Sequence, residues 1–143
     1  MNKGTQSHVE VFFDTFVLYF VQNAKDILMR KGVKTLSLVF GLLFLSAAIL
    51  QWNDPDALIW SALYGIAALV SILYFFGKRY FRITLLLGIV YLILAVAFWP
   101  DQWEGINLGE GNIDNIERAR ESLGLMITAF VMFIYAAFRR KLT

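Results

Sequence analysis

The stretch TLSLVFGLLFLSAAILQW, residues 35–52, contains no charged residue. At 1.5 Å of rise per residue, an α-helix of this length approaches the ~30 Å thickness of the hydrocarbon core of a bilayer. The sequence Asn-Asp-Pro-Asp follows at residues 53–56, and a second uncharged run extends over residues 57–76. Because turn-forming residues separate two apolar runs of this length, the sequence predicts a transmembrane helical hairpin.

The rest of the chain predicts a second hairpin. Residues 83–99 form a third uncharged run, which Pro100 ends. The fourth predicted span, residues 117–138, opens with the charged sequence Glu-Arg-Ala-Arg-Glu and is free of charge from Ser122 onward. The uncharged part covers only ~25 Å, so the charged turns are expected at the level of the outer headgroups. The predicted fold class is therefore all-α, an integral membrane bundle of four transmembrane helices.

The distribution of basic residues predicts the orientation of these spans. Eleven of the thirteen Lys and Arg residues lie near the two ends of the chain or in the loop at residues 77–82, and the other two lie between residues 100 and 121. Loops rich in Lys and Arg stay on the cytoplasmic side, so both termini are expected in the cytoplasm. For a bacterial source this means the inner membrane. The same orientation brings all four tryptophans to the outer interface, where amphipathic rings prefer to lie: Trp52, Trp60, Trp99 and Trp103.

Residues 1–28 form an extension before the four-span domain at residues 29–143. Residues 9–21 are apolar except for Glu10, Asp14 and Thr15, and they are too short to span a bilayer. They predict a helix lying in the cytoplasmic membrane interface, although its polar face is acidic rather than basic. No cleavage site of a signal peptide follows them. The sequence MRKGVK that begins at residue 29 is also typical of the start of a membrane protein, so residues 1–28 are either native or an upstream addition.

The composition excludes several functional classes. The chain contains no Cys and a single His, His8, which excludes disulfides and thiolate chemistry. His8 is expected on the cytoplasmic side, so a Ser-His-Asp arrangement on the outer face would lack its base. The basic residues flank apolar runs and form no face of duplex length, so nucleic acid is not an expected partner.

The first candidate site is the turn between the first two spans. Asp54 suits the N-cap of the second helix, Pro55 suits its first position, and Asp56 complements the helix dipole. Asn53, Asp54 and Asp56 also present oxygen atoms that can bind a cation or a polar headgroup. The structural and the binding roles are both open and can coexist.

The second candidate site is the charged start of the fourth span. Glu117, Glu121 and Gly124 are spaced so that they share one helix face, and the glycine would let a neighbouring helix approach. The two carboxylates repel each other unless a cation lies beside them, and the candidates are Arg118, Arg120 or a metal ion. Ionisable groups at membrane depth are costly and often functional. The structural alternative is a charged helix start with snorkelling arginines.

The acidic residues of the outer face limit the metal that it can hold. Because no Cys or His is expected there, zinc is disfavoured and only a hard cation, Ca²⁺ or Mg²⁺, is a candidate. Its ligands would come from Asp54, Asp56, Glu117 and Glu121, and no other cofactor is expected. In the loop before the fourth helix, Asp114 is expected to be the N-cap.

The two motifs together resemble the transmembrane protein 220 family of small four-helix membrane proteins. The turn QWNDPD follows the apolar sequence LFLSAAIL, and the later motif reads Glu117-x-x-Arg120-Glu121-x-x-Gly124-Leu125. The resemblance covers roughly residues 30–138 and implies a four-helix membrane fold. It implies no mechanism, because the family has no established activity. The acidic N-terminal extension departs from the family's core pattern.

Three functions are compatible with this sequence. The favoured one is a non-enzymatic membrane protein whose outer acidic pocket binds a cation, a lipid headgroup or a membrane-protein partner. The second is an enzyme that modifies a membrane lipid with outer carboxylates as general base or Mg²⁺ ligands, although no catalytic residue can be assigned. The third, a small transporter subunit, is disfavoured by the lack of charge at mid-membrane. A homo-oligomer is open, since four spans form a small bundle. The candidate binding residues are Asn53, Asp54, Asp56, Glu117, Arg118, Arg120 and Glu121.

Overall fold

Four α-helices make up most of the protein. The computed structural model describes residues 3–53, 56–107, 109 and 111–138, with side chains for all of these except residues 3–10, 26 and 53. A short 3-10 helix, Gln51–Asn53, continues the first α-helix toward the turn. Within the described residues no β-strand occurs, so the all-α prediction is confirmed. The α-helices are α1 (Lys3–Leu50), α2 (Ala57–Phe75), α3 (Phe81–Ala97) and α4 (Ile113–Ala137).

Helices α2, α3 and α4 overlap the second, third and fourth predicted spans, and the end of α1 overlaps the first. Three of them are long and apolar enough to cross a membrane, namely α2, α4 and the Val11–Leu50 part of α1. Helix α3 is a shorter apolar helix of 17 residues, or ~25 Å. The bounds of α2 and α3 agree with prediction to within two residues. Helix α4 begins at Ile113, four residues before the predicted start of the fourth span.

Helix α1 is a single helix of 48 residues, about 70 Å long. The predicted N-terminal helix is therefore present as the first part of α1 and not as a separate element. No proline interrupts it, and Gly32 lies within it without ending it. Every side chain of residues 11–21 is exposed, including Phe12 and Phe20. This part of α1 makes no core contact with the bundle, and its location in a membrane interface stays a prediction.

The bundle consists of two helical hairpins, as predicted. Helix α1 packs along α2, and α3 packs along α4. Aromatic side chains of α2, α3 and α4 join the hairpins: the Tyr135 ring of α4 stacks on Tyr74 of α2 at 4.5 Å between centroids, and the Tyr91 hydroxyl of α3 donates to the Leu63 carbonyl of α2 at 2.7 Å. Contact between α2 and α4 is otherwise sparse.

Long-range contacts fix which loops share an end of the bundle. At one end, the Trp60 ring of α2 meets the Phe98 ring that follows α3, at 5.2 Å between centroids. We call this end, where α1 ends, α2 begins, α3 ends and α4 begins, the acidic end. At the other end, the Tyr74 hydroxyl donates to the Phe138 carbonyl at 2.9 Å. We call this the basic end.

The last turn of α4 is held by side chains from α2 and from the link between α2 and α3. The Phe138 carbonyl accepts hydrogen bonds from the Tyr74 hydroxyl at 2.9 Å and from the Arg79 guanidinium at 3.3 Å. The same guanidinium lies 5.1 Å from the centre of the Tyr74 ring. These donors satisfy a carbonyl that the helix itself leaves without a partner, so they fix the two hairpins relative to each other at the basic end.

Candidate functional site

A polar cavity of about 490 Å³ lies at the acidic end. Residues from both predicted motifs line it, three carboxylates and one guanidinium among them, so the fold brings the two motifs together. Helix α4 supplies Glu117, Arg120 and Glu121 because residues three and four apart lie on one face of a helix. We call this space the acidic-end cavity; its lining consists of Leu50, Gln51, Asp56, Tyr64, Glu117, Arg120 and Glu121.

Arg118 lies elsewhere. Its guanidinium forms an ion pair with Asp101 at 3.6 Å, and the two side chains are 41% and 88% exposed. A surface pair of this kind contributes less than about 1 kcal/mol. Of the two arginines that the sequence offers as partners of Glu117 and Glu121, it is therefore Arg120 that shares their cavity.

Asp56 reaches the cavity from the first position before α2. Because α2 begins at Ala57, Asp56 holds the N-cap position that the sequence assigns to Asp54. Its carboxylate makes no capping bond and instead accepts a hydrogen bond from the Trp60 indole at 2.8 Å. Asp54, together with Pro55, lies outside the described residues, as does the side chain of Asn53.

Trp60 lies at the same end of the bundle as the other three tryptophans but differs from them in burial. Its side chain is 1% exposed and packs within the bundle. The indole N–H would cost energy there without a partner, and the Asp56 carboxylate supplies one. The other three tryptophans are exposed at the acidic end, and the rings of Trp99 and Trp103 stack at 5.5 Å between centroids.

Tyr64 is a site residue that sequence reasoning missed. Its ring stacks on Phe44 and Trp60, with centroids 6.4 and 6.3 Å away. Its hydroxyl reaches α4 at Gly124, where a Cβ atom would collide with it. The close approach predicted at Gly124 is thus made by a side chain and not by a helix backbone. The spacing of the sequence could have identified Tyr64, because Asp56, Trp60 and Tyr64 follow one another at intervals of four and so lie on one side of α2.

The loop before α4 sets where that helix begins. The side chain of Asn112 accepts a hydrogen bond from the Asp114 amide at 2.9 Å and so caps α4. The prediction that Asp114 is the cap is wrong, and Asp114 lies in the first turn. The Glu104 carboxylate accepts from the Asn112 amide at 2.7 Å and from the Asn115 side chain at 3.4 Å. This carboxylate ties the loop to the start of α4, and Gly111, at φ +125°, leaves room for it.

The carboxylates of the cavity do not form an evident metal centre. In the part of the chain that the structure describes, no group of three or more His, Asp or Glu side chains is arranged to hold a metal ion. Asp56, Glu117 and Glu121 border one space without converging on one point. The fourth predicted ligand, Asp54, lies outside the described residues.

Comparison with known proteins gives a family but no annotated relative. Residues 43–137, about two thirds of the chain, match the family described as Transmembrane family 220, helix. The matched region contains both motifs and every described lining residue of the acidic-end cavity. No curated protein and no solved structure matches the chain. The family match extends over the end of α1 and the whole of α2, α3 and α4, and the chain belongs to transmembrane family 220.

Proposed function

We propose that this membrane protein binds a small cationic or zwitterionic group in the acidic-end cavity, and that this end faces the outside. The ligand would be the ammonium-bearing headgroup of a lipid or a free molecule of the same chemistry. The observation that carries the proposal is the lining of the cavity, in which three carboxylates and one guanidinium face the same 490 Å³.

The charges of the lining favour an organic cation over an anion. Asp56, Glu117 and Glu121 outnumber Arg120, so the cavity has an excess of negative charge. An ammonium group can lie among the carboxylates, while Arg120 is suited to a phosphate or carboxylate on the same ligand. The spread of the carboxylates favours a group of several atoms over a bare metal ion, which requires its oxygen ligands at 2.0–2.6 Å.

The depth of the cavity supports a ligand at headgroup level. If the basic end of α4 marks one membrane surface, Glu121 lies ~25 Å away along the helix and Glu117 ~30 Å away. These distances place the carboxylates near the opposite boundary of a ~30 Å hydrocarbon core. In the sequence, eleven of the thirteen Lys and Arg residues lie near the ends of the chain or in the loop at residues 77–82, which supports an orientation with the acidic end outside.

The test uses water-soluble ligands and the full chain in maltoside micelles. Phosphoethanolamine, phosphocholine, glycerol phosphate and Ca²⁺ are titrated while thermal unfolding is followed by tryptophan fluorescence. A ligand that binds the folded protein raises its Tm, and at one hundred times Kd the stabilisation is ~2.7 kcal/mol. We expect the two ammonium compounds to raise the Tm and glycerol phosphate to have little effect.

A double substitution locates the effect. Glu117→Gln with Glu121→Gln removes two of the carboxylates and is expected to abolish the shift. Asp101→Asn is the matched control, because Asp101 is an exposed acid at the same end that lies outside the cavity lining. An unchanged Tm at saturating ammonium compound, or the same shift in the double variant, would contradict the proposal. If Ca²⁺ alone raises the Tm, the cavity binds a metal ion and not an organic cation.

A further inference from the structure

The acidic-end cavity continues into an apolar groove on the side of the bundle. This groove has a volume of about 380 Å³ and runs between α1 and α4. We call it the lateral groove. Its lining is Phe40, Leu43, Phe44, Ala47, Leu50, Gln51, Tyr64, Arg120, Gly124 and Ile127. Four of these residues, Leu50, Gln51, Tyr64 and Arg120, also line the acidic-end cavity, so the two spaces join.

The groove exists because α1 and α4 are not packed against each other. Each packs along its own hairpin partner, and Tyr64 of α2 closes the space between them from behind. Gly124 has no side chain to fill the groove on the α4 side. Leu43 and Ile127 on its two rims are 56% and 53% exposed, so the groove is open toward the surrounding lipid.

The length of the groove corresponds to one leaflet. From Gln51 to Phe40 the α1 wall extends for ~16 Å, about half of the ~30 Å hydrocarbon core. On α4, the wall runs from Arg120 at the cavity to Ile127 at the inner end, ~10 Å. The polar acidic-end cavity lies at one end, and the apolar lateral groove extends from it toward mid-membrane. A lipid molecule has the same arrangement of polar and apolar parts.

We propose that the joined spaces hold one phospholipid of the outer leaflet, with an ammonium headgroup in the acidic-end cavity and an acyl chain in the lateral groove. This inference rests on the proposed function and adds the source of the ligand. Arg120 lines both spaces, so its guanidinium is positioned for the phosphate, where headgroup and chains meet. The open rim lets the lipid enter sideways from the bilayer.

The charge of the cavity is the reason to commit to a lipid. An apolar helix of another protein or of a second copy would also cover the groove, but it would not complement the excess negative charge of the adjoining cavity. A zwitterionic lipid matches both parts at once. The alternative occupants become outcomes of the test.

The test is photochemical crosslinking of the full chain in nanodiscs. The probe is phosphatidylethanolamine with a diazirine in the middle of one acyl chain, and the crosslinked residues are mapped by mass spectrometry. We expect crosslinks concentrated on residues 40–47 and 124–127. Unlabelled phosphatidylethanolamine should reduce them several-fold more than equal amounts of phosphatidylglycerol, a comparison that needs no variant.

Two variants test the groove itself. Ala47→Phe places a ring inside it and should lower the crosslinks to the groove at least fivefold. Ala62→Phe adds the same ring at an exposed position on α2 and should leave them unchanged. Neither change touches the carboxylates, so the Tm shift with phosphoethanolamine should persist in both.

The outcomes separate this inference from the proposed function. Crosslinks spread evenly over lipid-facing residues, or equal competition by the two lipids, would overturn the chain-binding groove while the Tm shift with phosphoethanolamine keeps the headgroup site. If phosphoethanolamine does not shift the Tm of the wild type, both the headgroup site and the chain-binding groove are refuted. A change from dimer to monomer in the Ala47→Phe variant, with unaltered lipid crosslinks, would assign the groove to self-association instead.

Discussion

The hydroxyl of Tyr64 lies where a Cβ atom on residue 124 would have to be. Glycine at position 124 thus permits the contact between α2 and α4 at the acidic end. The tyrosine has little freedom to move away, because its ring is stacked on Phe44 and Trp60. The same ring forms a wall of both the acidic-end cavity and the lateral groove, so a change at residue 124 affects the site as well as the packing.

Gly124→Ala is expected to destabilise the protein. The added methyl group collides with the Tyr64 hydroxyl, and overpacking of this kind costs about 1–3 kcal/mol, which outweighs the gain of up to ~1 kcal/mol in helix propensity. Unfolding in a titration with sodium dodecyl sulfate measures the difference. Gly65→Ala is the control, because no atom other than its chain neighbours and the adjacent backbone of its own helix lies within 4 Å of the added Cβ. Adding Tyr64→Phe should restore most of the loss, and a loss that persists in that double variant would place the collision elsewhere.

Ser122→Ala is expected to weaken the second hairpin. The Ser122 hydroxyl is fully buried and donates to the Ala95 carbonyl of α3 at 2.7 Å. Hydrogen bonds between membrane helices contribute about 0.6 kcal/mol on average, and that is the expected decrease in unfolding free energy. Ser46→Ala is the matched control, since the exposed Ser46 hydroxyl bonds only within its own helix, to Leu42. Equal effects of the two substitutions would mean that burial of the bond between helices adds nothing.

Glu104→Ala is expected to loosen the start of α4 without unfolding the bundle. The carboxylate that accepts from the Asn112 amide and the Asn115 side chain is lost, and with it the tie between the loop and the helix cap. Hydrogen exchange should accelerate at residues 112–116 and stay unchanged in α2. Asp101→Ala removes only the exposed pair with Arg118 and should not accelerate exchange there. Similar acceleration in both variants would show that loop charge, and not the specific bonds, stabilises the cap.

Tyr74→Phe is expected to release the last turn of α4 at the basic end. The substitution removes the hydroxyl that donates to the Phe138 carbonyl but keeps the ring that stacks on Tyr135. The net loss of one hydrogen bond lowers the unfolding free energy by about 0.5–1.5 kcal/mol, measurable by the same detergent titration. Tyr80→Phe, at an exposed residue of the same end, is the control. If the two variants unfold alike, the hydrogen bond from Tyr74 to Phe138 does not contribute to the unfolding free energy.

The absence of cysteine makes the orientation directly measurable. Single cysteines in place of Gln102 and Lys78 report on exposed positions at the acidic and the basic end. In intact cells, a maleimide that does not cross membranes should label the Gln102→Cys protein, and the Lys78→Cys protein should react only after permeabilisation. The reverse pattern would refute the predicted orientation.

Hydropathy and turn chemistry predict the helices well because they report on local properties. The apolar runs at residues 57–76 and 83–99 correspond to α2 and α3 within two residues. The sequence does not predict which distant parts of the chain contact each other. The Trp60 ring packs against Phe98, and the Glu104 carboxylate accepts a hydrogen bond from the Asn112 amide at the start of α4. Neither contact produces a periodic pattern in the sequence.

The candidate site was predictable in part for the same reason. Helical spacing placed Glu117 and Glu121 on one face, and the structure has both in the acidic-end cavity. Spacing did not show that Arg118 would turn toward Asp101, since that pairing depends on the path of the loop. The apolar groove was not predictable at all, because it arises from the gap between α1 and α4.

The division into two hairpins has a consequence for biogenesis. Each hairpin carries its own interhelical packing, and a single connection at the acidic end joins its two helices. The link between them, around Gly77, is exposed at the basic end. Co-expressed fragments divided at this link should therefore insert independently and reassemble, with the aromatic contacts of α2 serving as the assembly interface.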